Sequence, residues 1–433
     1  MQHVFMTGPS SRVLTILLAG GVGERLGPLT RDEAKPMMPF GGIYRLIDIT
    51  LSNCVNSGLT RIFILTQYKA LSLNRHVREA WNILSPELGQ FIETIPPTRR
   101  RRDTWYLGTA DAVYQNLQSI EEERPSQVLI LSADHVYKMD YRTMFEWHHL
   151  HKADVTVATC QTPPEDAPRY GIVEIGDDYR VTGFEEKPQH GNPRRSRFNP
   201  EMCSASMGVY LFNTPVLVDA LLEDAEDESS SHDFGKDVLP KLIGRCRVIA
   251  YDFIDENRKE VRYWRDVGTI DSYYEANMDL VSVSPVFNLY DQNWPLRTGP
   301  VRMPPAKFVF ADEGVRMGVA LDSLVSHGCI ISGGKVVHSV LSPGVRINSH
   351  ALVEDSILHA NVWVGRHSRL RRAIVEQGVL LPERTQIGQD PEADRKAGHT
   401  VTDSGIVVVH NASPGIREKR ARRTGPRVLR AAK

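Results

Sequence analysis

The stretch "TILLAGGVGERLGPLT", Thr15–Thr30, passes from an apolar run through a glycine cluster to an arginine and a turn. A strand that opens into such a loop brings backbone N–H groups up to phosphates. A dinucleotide fingerprint needs G-x-G-x-x-G, but here Gly21 and Gly23 are followed only by Gly27, one residue too late. A Walker A loop needs a Lys-Ser or Lys-Thr pair after its glycines, and none follows. What remains is a flexible loop of Gly20, Gly21 and Gly23, with Arg25 supplying charge and Lys35 of "AKPMMPFGG" arriving a few residues later. Two cations over a polyphosphate stabilise charge on departing phosphates. A merely structural glycine turn with surface Arg and Lys fits the same letters, and the loop alone leaves both readings open.

Outward from the loop, four short apolar runs predict buried strands: "VLTILLA" from Val13, "RIFILTQ" from Arg61, "QVLILSAD" from Gln127 and "DVTVATC" from Asp154. Continuous apolar character without polar alternation is expected of a parallel sheet covered on both faces. The segment "GTADAVYQNLQSIEEE" places Val113, Leu117 and Ile120 on one helical face, with Thr109 as the expected N-cap. Alternating strands and helices predict an α/β, Rossmann-like, mostly parallel nucleotide-binding domain with ligands at the carboxyl ends of its strands.

The texture changes at "SPVFNLYDQNWPLRTGPVRMPPAKF", rich in Pro and Asn, which reads as a linker. Beyond it helices fade. Leu352, Leu358, Val364 and Leu370 recur every six residues, the period of a left-handed parallel β-helix in which each face takes one hexad. Ser342 and Arg346 break related registers. The expected organisation is an N-terminal extension at 1–12, a catalytic domain at 13–283, a linker at 284–305, a β-helix at 306–390 and a tail at 391–433.

The chain has 433 residues, too long for one core, and 52 Lys plus Arg balance 53 Asp plus Glu. The net charge of -1 gives no general attraction to nucleic acid or anionic membrane. Any anion site is therefore local. Two basic runs, "TRRRRD" at Thr98–Asp103 and the tail "REKRARRTGPRVLRAAK", read as solvated segments, since no aromatics interleave to stack bases. Five scattered cysteines without CxxC spacing argue against a disulfide framework or zinc cluster and fit a cytoplasmic protein. The apolar run Val13–Ala19 is far short of a membrane span. In "EWHHLHK", His148 and His151 stand at i and i+3, but without a third ligand a helical pair is the better reading than a zinc site.

The residues then carry a resemblance. "LAGGVGERLGPLT" with "AKPMMPFGGIYRLIDITLSNCVNSG" resembles the opening signature of sugar-1-phosphate nucleotidyltransferases, and "GGIYRLIDITLSNC" resembles the glucose-1-phosphate adenylyltransferases in particular. The likeness continues through "WYLGTADAVYQN", "DHVYKMDY", "YGIVE", "FEEKP", "ASMGVYLFN", "SSHDFGKDVLP", "YWRDVGTIDSYYEAN" and "LVSHGCIISGG", spanning roughly 14–388. It implies transfer of the adenylyl group of ATP to glucose 1-phosphate, giving ADP-glucose and pyrophosphate for α-glucan synthesis. It also implies Mg²⁺ as cofactor, small-molecule effectors and a homotetramer. A relative using UTP, GTP or dTTP and a non-catalytic regulatory subunit are the alternatives; joint retention of Arg25, Lys35, Asp134, Lys187 and Asp266 speaks against the latter.

The same resemblance implies roles for single residues. Arg25 and Lys35 would attend the triphosphate, and Asp134 and Asp266 the metal. Lys187 would meet the sugar phosphate and Glu186 the glucose hydroxyls, with Tyr106, Gly171 and Ser206 around the same substrate. Gly171 is expected to permit close backbone approach. Arg45, Arg99 and Arg100 are candidate effector contacts. Asp32 and Glu33 stand where the enteric-type pattern is basic, and Pro39 where it has His. Acidic side chains repel an anionic effector, which argues against fructose bisphosphate and leaves the effector open.

Overall fold

The computed structural model describes all residues except 1–11, 22, 98–104, 190–192, 256–259, 313–314 and 411–433. Arg99, Arg100 and the whole basic run at 417–433 therefore lie outside the described residues. The chain divides into two compact units. One is built from the chain up to residue 22, Ile47–Trp264 and Trp294–Leu296; the other from Gly23–Leu46, Arg265–Asn293 and the chain from Arg297 onward.

The four apolar runs are strands of one nine-stranded sheet in the first unit. In chain order its strands are β1 (Val13–Ala19), β2 (Arg61–Thr66), β3 (Phe91–Ile95), β4 (Gln127–Ser132), β5 (Val155–Thr162), β6 (Gly171–Ile175), β7 (Val181–Glu186), β8 (Cys203–Asn213) and β9 (Val248–Asp252). The path runs β7-β6-β8-β4-β1-β2-β3, with β5 joined to β8 and β9. β1 pairs in parallel with β2 and β4, and β2 with β3. Only β8 and the β6–β7 hairpin run against their neighbours. In β1 and β4 the residues Leu14, Ile16, Leu17, Val128 and Ile130 are at most 1% exposed, so both faces are covered. Burying each such side chain is worth about 1.5–3 kcal/mol, which is why the uninterrupted apolar runs read correctly.

The helical segment after Gly108 departs from expectation. It is two pieces, α1 (Thr109–Tyr114) and α2 (Leu117–Glu123). Asn116 interrupts them because its buried side-chain amide donates to the Ala112 carbonyl at 2.7 Å, the local competition with helical bonding that Asn favours. Gly108 takes the N-cap position and Thr109 the first turn. The Thr109 hydroxyl is spent instead on Asp233 at 3.0 Å.

In the second unit the residues after 306 form a left-handed parallel β-helix. Lys307–Val309, Ile330–Ser332, Arg346–Ile347, Trp363–Val364 and Leu380–Leu381 stack on one face. The second face stacks Val319–Leu321, Lys335–Val337, Leu352–Glu354, Arg369–Arg371 and Gln386–Ile387. Leu324–Val325, Val340–Leu341, Ile357–Leu358 and Ala373–Val375 line the third, which takes Val407–Val409 in parallel beyond residue 390. A short helix, Pro391–Lys396, capped by Asp390, precedes that last strand, so helices do not vanish entirely after the linker.

The register of the coils corrects the strict hexad. Leu352 faces Arg369, Ile357 faces Ile374 and Trp363 faces Leu380. Each pair is 17 residues apart (369 − 352 = 17), where three hexads would give 18. The buried residues are Val353, Leu358, Val364 and Leu370, so the steps are five, six and six, and Leu352 is not the inward residue. The short step is made at one corner, where His338, Asp355 and Arg372 adopt positive φ. A serine follows each of the first two and builds a ladder. The Ser339 Oγ accepts from Ser356 N at 3.0 Å and donates to the Val337 carbonyl, while the Ser356 Oγ accepts from Ala373 N at 3.2 Å and donates to the Glu354 carbonyl. Buried hydroxyls thus replace the backbone bonds a full hexad would make.

Candidate active site

In the first unit the site residues expected from the sequence collect at strand ends. Gly20 closes β1 against Gln67: a β-carbon at Gly20 would stand 3.1 Å from Cβ of Gln67. The Gln67 side-chain oxygen in turn accepts from the backbone N–H of Tyr106 at 3.2 Å. Among the described residues other than its chain neighbours, nothing lies within 4 Å of a β-carbon placed at Gly21. Tyr106 is half-buried, its hydroxyl accepts from Asn116 Nδ2 at 3.2 Å, and burial raises its pKa. Asp134 follows β4 directly; it accepts from the Ser132 hydroxyl and lies 3.6 Å from His135 Nε2.

The hairpin of β6 and β7 carries Gly171, Glu186 and Lys187. Glu186 pairs with Gly171 in register, and the Lys187 Nζ lies 2.6 Å from Glu186 Oε1. Lys187 sits at φ 48°, a left-handed conformation uncommon for a residue with a β-carbon. Its backbone N–H donates to the Tyr170 carbonyl at 3.1 Å. Side chains pack closely on Gly171. A β-carbon there would meet the Phe184 ring at 2.5 Å and Glu186 Oε2 at 2.8 Å. Gly235 supports the same carboxylate from elsewhere in the chain, its β-carbon position being 2.9 Å from Glu186 Oε2.

Ser206 is buried in β8, 3.2 Å from the Tyr210 hydroxyl, and its Oγ accepts from Gly208 N at 3.3 Å. The strand bulges between Ser206 and Tyr210, and Gly208 at φ 66° turns there. Burial raises the Tyr210 hydroxyl well above its ordinary range, keeping it a neutral donor. Asp233 caps Gly235 N and Lys236 N at 2.9 and 3.1 Å. Gln67, Phe184, Tyr210, Asp233 and Gly235, which support these residues, are not singled out by the sequence. "SSHDFGKD" did hold one signal, an Asp two residues before a Gly at the start of a helical turn.

The second unit holds the charged group. Gly23, at φ 69°, precedes a short 3₁₀ segment, Glu24–Thr30, and the Thr30 hydroxyl donates back to the Gly23 carbonyl at 3.0 Å. A β-carbon at Gly23 would stand 3.2 Å from Cβ of Lys35, so this glycine lets the loop close on the lysine. Lys35 Nζ donates to Asp266 Oδ1 at 3.0 Å, and Arg25 lies 3.8 Å from Oδ2. The Lys35 side chain is 8% exposed and the Arg25 side chain 57%. Arg45 is half-buried and donates to the Met37 carbonyl at 3.1 Å.

His148 is buried, 2.8 Å from the Thr156 hydroxyl and 3.2 Å from Asn213 Oδ1. Burial lowers its pKa.

Residues 14–283 match the nucleotidyl transferase family model, and 304–409 match a GlmU-like C-terminal hexapeptide model. A glucose-1-phosphate adenylyltransferase of Koribacter versatilis is 59% identical over 397 residues, covering 92% of this chain and 94% of that protein. The chain belongs to the glucose-1-phosphate adenylyltransferase family. Proteins of the same name from Rhodopirellula baltica and Methylococcus capsulatus are 54% and 47% identical. They are covered over 90% and 95% of their lengths, for 92% and 94% of this chain. The matched region opens with β1 and its glycine loop. No described helix is long and apolar enough to cross a membrane.

Proposed function

We propose that the chain transfers the adenylyl group of ATP to glucose 1-phosphate, forming ADP-glucose and releasing pyrophosphate, as a step toward α-glucan. The observation that carries this reading is membership, across more than nine-tenths of the chain, among glucose-1-phosphate adenylyltransferases. A phosphate monoester has a second pKa near 6, so the attacking oxygen is already ionised at neutral pH. No protein base is needed. An oxygen of glucose 1-phosphate bonds to the α-phosphorus of ATP, the bond to the β-phosphate oxygen breaks, and the electron pair leaves with pyrophosphate.

Within that reaction the protein orients and neutralises. Glu186 accepts from glucose hydroxyls, with Tyr106 and Ser206 as further polar contacts. Lys187 draws in the sugar phosphate, a role supported by its half-exposed ammonium. Arg25 and Lys35 offset the charge that grows on the leaving pyrophosphate. The resemblance gives Asp134 and Asp266 each a part in binding Mg²⁺, and carboxylate oxygens are the hard donors that this ion prefers. The ion would supply charge to offset the phosphate oxygens.

The same reading assigns the chemistry to 13–283 and effector response and assembly into a homotetramer to the β-helix that follows, in the cytoplasm. The test is a nucleotide panel with glucose 1-phosphate and Mg²⁺. ATP is expected to be used at least tenfold better by kcat/KM than UTP, GTP or dTTP; a preference for any of these overturns the base assignment.

A further inference from the structure

We propose that His232, with the buried Asp224, positions the loop beneath the Glu186 carboxylate and so tunes the site for glucose 1-phosphate; the inference rests on the transferase reading above. Asp224 lies in the last turn of α3 (Thr214–Glu226) and is 3% exposed. Its Oδ2 is 2.8 Å from His232 Nδ1, and its Oδ1 accepts from the Ser230 hydroxyl at 2.6 Å. The Ser230 hydroxyl also receives the His232 backbone N–H at 2.9 Å. Together these bonds hold His232 at φ 56°, a left-handed conformation that a residue with a β-carbon adopts only when its surroundings enforce it.

The bend has two consequences. It turns the His232 carbonyl toward the start of α1, where it accepts from Ala110 N at 2.8 Å. The approach is so close that a β-carbon at Gly108 would stand 2.2 Å from that oxygen. It also sends the chain directly into Asp233, which accepts from the Thr109 hydroxyl and caps Gly235. Gly235 then lies against Glu186 Oε2. The path from a buried carboxylate to the sugar-facing carboxylate is thus continuous: Asp224, His232, Asp233, Gly235, Glu186. His232 touches none of the reacting groups and acts only through this loop.

The test uses the full chain with ATP, glucose 1-phosphate and Mg²⁺. His232→Ala is expected to raise the KM for glucose 1-phosphate about tenfold, the scale of one hydrogen bond to a charged group, with the KM for ATP and kcat within about twofold. In His232→Asn the side-chain amide donates to Asp224 and the residue tolerates the left-handed backbone. It is expected to bring that KM back to within about threefold of wild type. A purely structural role would lower Tm without touching the glucose 1-phosphate KM, and that result overturns the proposal. An asparagine variant no better than the alanine variant overturns it too. A wild type that uses another sugar phosphate or none refutes the transferase reading itself, before any variant is compared.

Discussion

Asp252→Asn is expected to stabilise the protein at pH 8 and to stabilise it less at pH 5. Asp252 ends β9, and its Oδ1 accepts from Gln161 Nε2 at 3.1 Å. Its Oδ2 and the Gln161 Oε1 are both buried without a hydrogen-bond partner among the described residues. Burial raises the carboxyl from 3.8 to about 6, against a smaller lowering by Gln161. Below about pH 4 the folded and unfolded chains both hold the proton. Between about 4 and 6 only the folded chain does, so stability falls as pH rises, and above 6 the loss is complete. A shift of about two units corresponds to about 3 kcal/mol at pH 8 and roughly half of that at pH 5. Asparagine removes the charge, keeps an acceptor for Gln161 Nε2 and offers an N–H to Gln161 Oε1. The gain should therefore be about 1–3 kcal/mol at pH 8. Urea melts of the full chain at the two pH values, wild type beside variant, measure it. No gain at pH 8, or an equal gain at both, would refute the account of an orphaned buried carboxylate.

Asp134→Ala is expected to keep the wild-type circular dichroism and melting curve while losing at least about a hundredfold in kcat; near-normal turnover would remove Asp134 from the chemistry. His359 has the opposite pH sign to Asp252: burial first, then the Arg45 charge, lowers it to about 3. The unfolded chain takes up a proton below about pH 6.5 that the folded chain refuses, so stability is present above that pH and about 2 kcal/mol is lost by pH 5. His359→Gln should flatten the stability profile between pH 5 and 7 by up to about one proton, and an unchanged slope counts against it. Ser356→Ala removes the acceptor of Ala373 N and should cost about 1–3 kcal/mol in urea melts; a loss below about 0.5 kcal/mol would mean the ladder does not carry the corner. Gly171→Ala must displace the Phe184 ring and Glu186, and should raise the KM for glucose 1-phosphate more than that for ATP; equal effects on both would be evidence against local displacement.

The sheet was legible because its central strands are buried on both faces, which leaves a run of apolar letters that nothing but a covered strand needs. The β-helix was legible by period, yet its pitch was not. The five-residue step depends on the left-handed residues His338, Asp355 and Arg372 and on the serine ladder beside them, and Ser339 and Ser356 look like ordinary turn serines in the sequence. Thr109 was misread for a similar reason. A threonine before an apolar period fits a cap, but Asp233, 124 residues away in sequence, claims its hydroxyl. Glu186 and Lys187 are visible as a motif. Gln67, Tyr210 and Gly235 matter only through what the fold brings against them, so no local pattern marks them.

Lys35 and Asp266 show how far a motif falls short of a site. The resemblance assigns the lysine to phosphate and the aspartate to metal, whereas the structure ties the two together at 3.0 Å. The tie has a physical reason. The Lys35 side chain is only 8% exposed, and a buried polar group needs a hydrogen-bond partner. Asp266 is such a partner, and it fixes the long side chain in one direction. Arg25 is held less closely: its side chain is more than half exposed and lies 3.8 Å from the other carboxylate oxygen. In the proposed reaction the two cations would therefore divide the work, Lys35 held in place by its carboxylate and Arg25 adjusting to the phosphate it meets.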